Sequence, residues 1–294
     1  MMKRGFVPAL GTPLDENGRL IKESYERQIE LMIGAGCVGL LSMGSMGQQA
    51  FLLPETCIET AECAVRAAAG RVPVFCGAMD NSIARAKRRI AAMEHLDVHA
   101  FVLTTPYYEI DTKEQVLKYF REVAASTKHG IFLYDLPGVT KFKITLDMVK
   151  KLRATTPNFI GMKSADINML RKIRLDPAFE GFEIFYSGLD NMDVAYPWGV
   201  GNILDGMFTC TPATTKRFID AMEAGDREAA GKALNEILDL RDFMCDLDLW
   251  PAYSAGMNLI GCSGLHAPDW SEASPADVVE KVRKVMMKMG EPVV

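Results

Sequence analysis

The chain has 294 residues, of which 49% are hydrophobic and 24% charged; 33 basic against 38 acidic side chains give a net charge of −5. That balance excludes intrinsic disorder over the bulk of the chain. A mildly acidic chain with scattered basic residues gives no support to nucleic-acid binding, and no apolar run approaches the roughly 20 residues that cross a bilayer.

Short β-rich runs recur along the chain: Phe6–Leu10, Val38–Ser42, Val72–Cys76, Ala100–Leu103, Gly130–Tyr134, Phe159–Met162, Glu183–Tyr186 and Gly206–Thr209. Between them lie helical patterns at Ser24–Gly34, Pro54–Ala69, Ser82–Leu96, Lys113–Ser126, Leu146–Ala154, Met169–Leu175 and Met192–Val200. Local signals agree with these bounds. Pro54-Glu55 opens a helix with proline in its first turn and an acid at the positive dipole end. Thr112 and Thr145 stand where N-caps are needed, and Gly70 follows a helix end. Strands alternating with helices, at roughly the spacing of a βα unit, imply a parallel sheet. Eight such units predict closure into a (β/α)8 TIM barrel spanning residues 1–212. The remainder, residues 213–294, reads as a helical extension packed on the barrel: Thr214–Ala224, Arg227–Phe243, Trp250–Ile260 and Pro275–Met289.

The cysteines are Cys37, Cys57, Cys63, Cys76, Cys210, Cys245 and Cys262. An odd number with no CxxC pair points to buried reduced thiols rather than a disulfide framework. The N-terminus, Met1-Met2-Lys3-Arg4-Gly5-Phe6, lacks the apolar segment and cleavage site of a signal peptide. A cytoplasmic protein is expected.

In this fold, functional side chains project from the C-terminal ends of strands. Lys163, ending the run Phe159-Ile160-Gly161-Met162, is the foremost candidate. Burial disfavours its ammonium form, and a neutral amine forms a Schiff base with a carbonyl. The alternative is a lysine that pairs with Asp166 or snorkels to solvent; the barrel reading favours catalysis. Tyr134 ends the preceding strand, so the two should be neighbours, and a phenol can shuttle protons for an amine and its adducts. Gly44-Ser45-Met46-Gly47, between a strand and a helix, offers backbone N–H groups to a carboxylate or phosphate, or is merely a tight turn. The four histidines (His95, His99, His129, His266) form no metal-ligand pair, and no metal or cofactor is expected.

Taken together, these strand ends resemble the dihydrodipicolinate synthase / N-acetylneuraminate lyase family. The resemblance runs from Pro8-Ala9-Leu10-Gly11-Thr12-Pro13 to Leu265-His266-Ala267-Pro268. It is carried by Gly44-x-x-Gly47, Tyr134-x-x-Pro137 and Gly161-Met162-Lys163, in order and on the expected strands. It implies class I aldolase chemistry on pyruvate or another 2-oxo acid, with an aldehyde as second substrate. Lys163 then corresponds to the Schiff-base lysine and Tyr134 to the proton relay. Ser45 corresponds to the loop hydroxyl that binds the substrate carboxylate and contacts the tyrosine. Tyr108 corresponds to a tyrosine lent to the neighbouring subunit, within a homotetramer built as a dimer of dimers. Thr12, Gly188 and Phe208 complete the implied substrate pocket.

Departures from the family pattern bear on the substrate. Met46 replaces a hydroxyl residue and Gln48 an acid. Val139 stands where family members that make dihydrodipicolinate carry an arginine, which argues against that activity. Asp190-Asn191 keeps part of the sugar-binding pair of the sialic-acid lyases, while Ala165 lacks their threonine hydroxyl. The expected activity is a Schiff-base lyase or aldolase for a 2-oxo acid, extending to keto-deoxy sugar acids. A 2-keto-3-deoxy sugar acid dehydratase using the same imine is the second enzyme reading. A non-catalytic 2-oxo-acid-binding barrel is the reading from another class.

Overall fold

A computed structural model describes residues 2–109 and 112–294; Met1, Ile110 and Asp111 lie outside the described residues. The elements run β1 (Phe6–Pro8), α1 (Lys22–Gly34), β2 (Leu40–Ser42), α2 (Pro54–Ala68), β3 (Val74–Gly77), α3 (Ile83–Met93), β4 (Ala100–Thr104) and α4 (Lys113–Ala124). They continue through β5 (Gly130–Tyr134), α5 (Pro137–Thr140), α6 (Leu146–Thr155), β6 (Phe159–Ser164), α7 (Ile167–Leu175), β7 (Glu183–Tyr186), α8 (Met192–Ala195) and β8 (Asn202–Asp205). After the last strand come α9 (Met207–Cys210), α10 (Pro212–Ala224), α11 (Arg227–Leu247), α12 (Leu249–Leu259) and α13 (Ala276–Met289).

The eight strands pair in parallel in the order β1-β8-β7-β6-β5-β4-β3-β2. The ring closes between β1 and β2 at a single parallel bridge, Ala9 to Leu41, beside which Leu10 N–H donates to the Leu41 carbonyl over 2.9 Å. This is the predicted (β/α)8 barrel. Alternation along each strand sorts the apolar residues into two cores. Val7, Ala9, Leu41, Phe75, Val102, Phe132, Phe185 and Leu204 fill the inside. Their neighbours, such as Phe6, Leu40, Met162 and Ile203, pack outward against the helices. The rings of Phe75, Phe132 and Phe185 plug the barrel floor, with centroids 4.5–5.2 Å apart. Gly161 is what admits one of them: a Cβ there would sit 2.1 Å from the Phe132 ring. The Gly161-Met162-Lys163 run therefore has a packing reason. Glycine makes room for the plug, Met162 faces the helices, and Lys163 returns to the inner face above it.

The expected caps form. Thr112 accepts from Gln115 N–H in a capping box, and Thr145 accepts from Met148 N–H. Two predicted elements need correction. Strand eight is not Gly206–Thr209 but Asn202–Asp205, and the predicted segment instead turns into α9. The predicted helix Met192–Val200 stops at Ala195. Pro197 cannot continue an α-helical ladder, and Gly199 adopts a left-handed φ of 79°.

Helices α10 to α13 pack together beyond β8. The buried Glu291, just past α13, accepts from Ala213 N–H, Thr214 N–H and the Thr214 hydroxyl, which ties the chain end to the start of α10. All seven cysteines are free thiols; six are buried and Cys245 is exposed. Among the described residues, no helix is long and apolar enough to cross a membrane.

Candidate active site

Lys163 and Tyr134 lie opposite each other in the register of β5 and β6. Both are 5% exposed, and Lys163 Nζ sits 4.0 Å from the centroid of the Tyr134 ring. The expected competitor for Lys163 is occupied elsewhere. Asp166 caps α7 through Met169 N–H and forms an ion pair with Lys143 at 3.0 Å. Lys143 also pairs with the buried Asp135, which accepts from the Ser164 hydroxyl at 2.7 Å and from Ile144 N–H. Lys143 thus serves Asp135 and Asp166, and among the described residues Lys163 forms no ion pair, its amine lying over the Tyr134 ring instead.

Lys163 and Tyr134 line a cavity of about 380 Å³ at the C-terminal ends of the strands, shared with Asp135, Lys143, Ala165, Ser187 and Asp205. A larger hollow of about 630 Å³ lies at the opposite end, around Arg4, Glu183 and Asn202. The smaller cavity is the site candidate, because it combines the strand C-termini with a buried amine.

The loop after β2 is held tightly. Thr12, fully buried, donates its hydroxyl to the Gly47 carbonyl over 2.7 Å. Met43 and Gln48 flank the loop with left-handed φ values of 55° and 57°, a strain found where surrounding structure dictates the backbone. Gly44 is buried and Ser45 exposed. Ser45 forms no hydrogen bond to Tyr134 in this structure, so the contact the resemblance implied is not made. Met46 is half-buried and reaches across to Gly206, beyond the end of β8.

The remaining candidates disperse. Asp190 is gripped by Arg241 of α11 through two hydrogen bonds of 3.0 and 2.9 Å, and that guanidinium lowers its pKa. Burial raises the pKa of Tyr186, which the neighbouring Asn191 side chain opposes, and the Tyr186 hydroxyl lies against Gly188. Val139 is 61% exposed on α5, and Tyr108 is 83% exposed. Phe208 is fully buried, edge-on to Phe6 with centroids 5.6 Å apart. With strand eight ending at Asp205, Phe208 belongs to the outer core and offers a ligand no surface.

Sequence reasoning missed Asp205, because the strand was placed four residues late. It also missed Arg241, 51 residues from its partner Asp190. The Gly201-Asn202-Ile203-Leu204-Asp205 run, a short apolar pair between turn residues, was the available signal for the strand. Thr104, in register with Tyr134 on the inner face, is a further missed polar group; its hydroxyl is buried and unpartnered among the described residues.

The model of the dihydrodipicolinate synthetase family matches residues 2–268. The chain belongs to that family. Among its relatives in the dihydrodipicolinate synthetase family, the 4-hydroxy-tetrahydrodipicolinate synthase of Laribacter hongkongensis strain HLHK9 is 30% identical over 258 residues, covering 85% of this chain and 86% of the relative. The enzyme of the same name from Methylococcus capsulatus is 32% identical over 242 residues, 81% of each chain. A prophage protein of the dihydrodipicolinic acid synthase family from E. coli K12, solved with pyruvate, superposes with a TM-score of 0.87 at 21% identity over 98% of both chains. The N-acetylneuraminate lyase of Proteus mirabilis does so with a TM-score of 0.87 at 18% identity, over 98% of this chain and 99% of that one. At these identities the superpositions establish the fold. Members of the dihydrodipicolinate synthetase family are class I lyases acting through a lysine Schiff base, and this protein is an enzyme of that class.

Proposed function

We propose that the protein is a Schiff-base lyase or aldolase acting on pyruvate or a related 2-oxo acid, with Lys163 as nucleophile and Tyr134 as proton relay. The observation that carries this reading is the buried Lys163 amine over the Tyr134 ring, opening into the cavity at the strand ends with no ion pair among the described residues.

In the proposed reaction, Lys163 Nζ adds to the C2 carbonyl carbon, and the carbonyl oxygen takes a proton from Tyr134. The carbinolamine loses water to give an iminium. In the cleavage direction the C3–C4 bond breaks, its electron pair flows into the iminium to form an enamine, and the C4 hydroxyl proton leaves to Tyr134 as the aldehyde departs. Protonation of the enamine at C3 and hydrolysis of the imine return pyruvate and the free amine. The Gly44-Ser45-Met46-Gly47 loop, held by the Thr12 hydroxyl, is assigned to the carboxylate end. With Met46 in place of a hydroxyl, that end loses one hydrogen bond to a charged group, a loss of about 1.5–3 kcal/mol.

The named activity of the synthase relatives is not proposed here, because Val139 offers no cation to a second substrate's carboxylate. A keto-deoxy sugar acid fits the departures better. Tyr108, exposed on its loop, is assigned to a neighbouring subunit's site within a dimer of dimers, and the buried free thiols fit a cytoplasmic location. The test is to incubate the protein with pyruvate and borohydride and to seek a reduced adduct on Lys163 by mass spectrometry. Absence of an adduct with pyruvate and with a panel of other 2-oxo acids would overturn the imine chemistry. Product analysis with keto-deoxy sugar acids then separates cleavage from dehydration.

A further inference from the structure

Of the three carboxylates lining the cavity around Lys163, two are ion-paired: Asp135 and Asp166 share the Lys143 ammonium. Asp205 is different. Its Oδ1 accepts from Met207 N–H at 2.8 Å, and among the described residues it forms no ion pair and no second hydrogen bond. Arg241, the nearest helical-extension cation, is committed to Asp190 and Asp242. Burial raises the pKa of Asp205, opposed by the Met207 and Gly206 backbone N–H groups and by the charges of Lys163 and Arg241. Half-buried in the cavity, Asp205 keeps one carboxylate oxygen without a protein partner among the described residues, open to a donor brought by a ligand.

The strand order says where along a ligand that donor must be. Lys163 lies at the end of β6 and Asp205 ends β8, two strands round the barrel. Lys163 and Asp205 line the same cavity at the strand C-termini. A substrate bound through C2 to Lys163 and extending toward the mouth therefore presents the chain beyond C4 to Asp205. A ligand hydroxyl supplies Asp205 with a donor, whereas a second carboxylate on the ligand would be repelled by Asp205 itself.

We infer that Asp205 is a specificity-determining residue that accepts a hydrogen bond from a hydroxyl on the substrate chain beyond C4, selecting hydroxylated 2-oxo acids over unsubstituted or acidic ones. The inference rests on the imine reading of Lys163. The test compares the condensation of pyruvate with glyceraldehyde and with propionaldehyde, which differ in hydroxyls. The readout is the ratio of the two kcat/KM values within one protein preparation, which partial loss of active protein leaves unmoved. Wild type is expected to favour glyceraldehyde by about ten-fold or more, the size of one charge-assisted hydrogen bond. In Asp205→Asn, which retains Oδ1 for Met207 N–H, the ratio is expected to fall about ten-fold; Asp205→Ala should lower it as well.

A wild-type ratio near one, or a ratio unchanged in both variants, would overturn the assignment. If neither variant folds, borohydride trapping of the unmodified protein decides. Half-maximal labelling of Lys163 should need at least about ten-fold more 2-oxohexanoate than 2-keto-3-deoxygluconate, and equal requirements overturn the assignment. Failure of the wild-type protein to form an adduct with pyruvate or any other 2-oxo acid removes the imine reading and the role of Asp205 with it. An adduct combined with an unselective ratio removes the role of Asp205 alone.

Discussion

Lys163 Nζ rests 4.0 Å above the ring centroid of Tyr134, on the neighbouring strand and at the same register level. On the proposed reading one phenol has two tasks. Its face attracts the Lys163 side chain, which forms no ion pair among the described residues, an attraction worth about 0.5–2 kcal/mol when the amine is charged. Its hydroxyl is the proposed proton carrier. The barrel makes this pairing possible because inward positions on adjacent parallel strands stand side by side.

The two tasks separate by substitution. Tyr134→Phe keeps the ring and loses the hydroxyl. Borohydride trapping of pyruvate on Lys163 is expected to persist at a reduced rate, while kcat falls by about 10²–10⁴. Lys163→Arg keeps the cation over the ring and removes the nucleophile, so trapping and turnover should both disappear. Full activity in Tyr134→Phe would exclude the phenol as the proton carrier.

Met46 and Gly206 form a pair across the barrel mouth. A Cβ at Gly206 would lie 2.1 Å from Met46 Cγ, and Met46 also packs against both hydrophobic cores. Gly206→Ala should therefore destabilise the fold by about 1–3 kcal/mol through overpacking. Met46→Ala in the same chain should recover part of that loss, a coupling of about 0.5–3 kcal/mol in a double-mutant cycle by urea unfolding. Additive effects would mean that the two side chains relax independently.

The βα rhythm was legible because each buried strand is a compact apolar run closed by turn residues. It failed at the eighth unit for a physical reason. Gly206-Met207-Phe208-Thr209 is at least as apolar as Asn202-Ile203-Leu204-Asp205, so composition favoured the wrong segment. Backbone pairing with Phe6, Val7 and Pro8 of β1 decides the matter in the folded chain. Lys163 and Tyr134 were readable as a pair, since both end short, clear strands. Asp205 was hidden by the slip in strand eight. Arg241 was hidden by distance along the chain, because nothing local in α11 announces that its guanidinium closes over the loop after β7.

Tyr108 is 83% exposed, and its backbone N–H donates to Asn81 Oδ1 at 3.0 Å, which anchors the loop while its side chain stays outside. If the side chain completes a neighbouring subunit's site, Tyr108→Phe should lower kcat without affecting thermal unfolding of the protomer. Mixing Tyr108→Phe with Lys163→Ala protomers should then restore activity to sites that combine an intact Lys163 with a partner's intact Tyr108. Activity of the mixture equal to the sum of the separate variants would confine each site to one subunit. Light scattering on the same samples reports the assembly that this complementation requires.

His266 supplies a pH test of the packing behind the barrel. It is fully buried, its Nε2 lies 2.9 Å from the Cys262 carbonyl oxygen, and its Nδ1 faces Gly11 with no partner among the described residues. Nε2–H donation to that carbonyl leaves Nδ1 bare. A proton added at Nδ1 would have no acceptor, and burial lowers the pKa from 6.5 to about 4. Between those values the unfolded chain binds the proton that the folded chain refuses, so stability falls as pH drops below 6.5 and the effect is complete near pH 4. At 1.36 kcal/mol per unit, about 2 kcal/mol should be lost between pH 7 and pH 5 through this group. His266→Gln, which keeps a donor for the Cys262 carbonyl, should unfold in urea with that increment missing from its pH 7 to pH 5 difference. An identical pH dependence in wild type and variant would show that His266 titrates in the fold as it does in the unfolded chain.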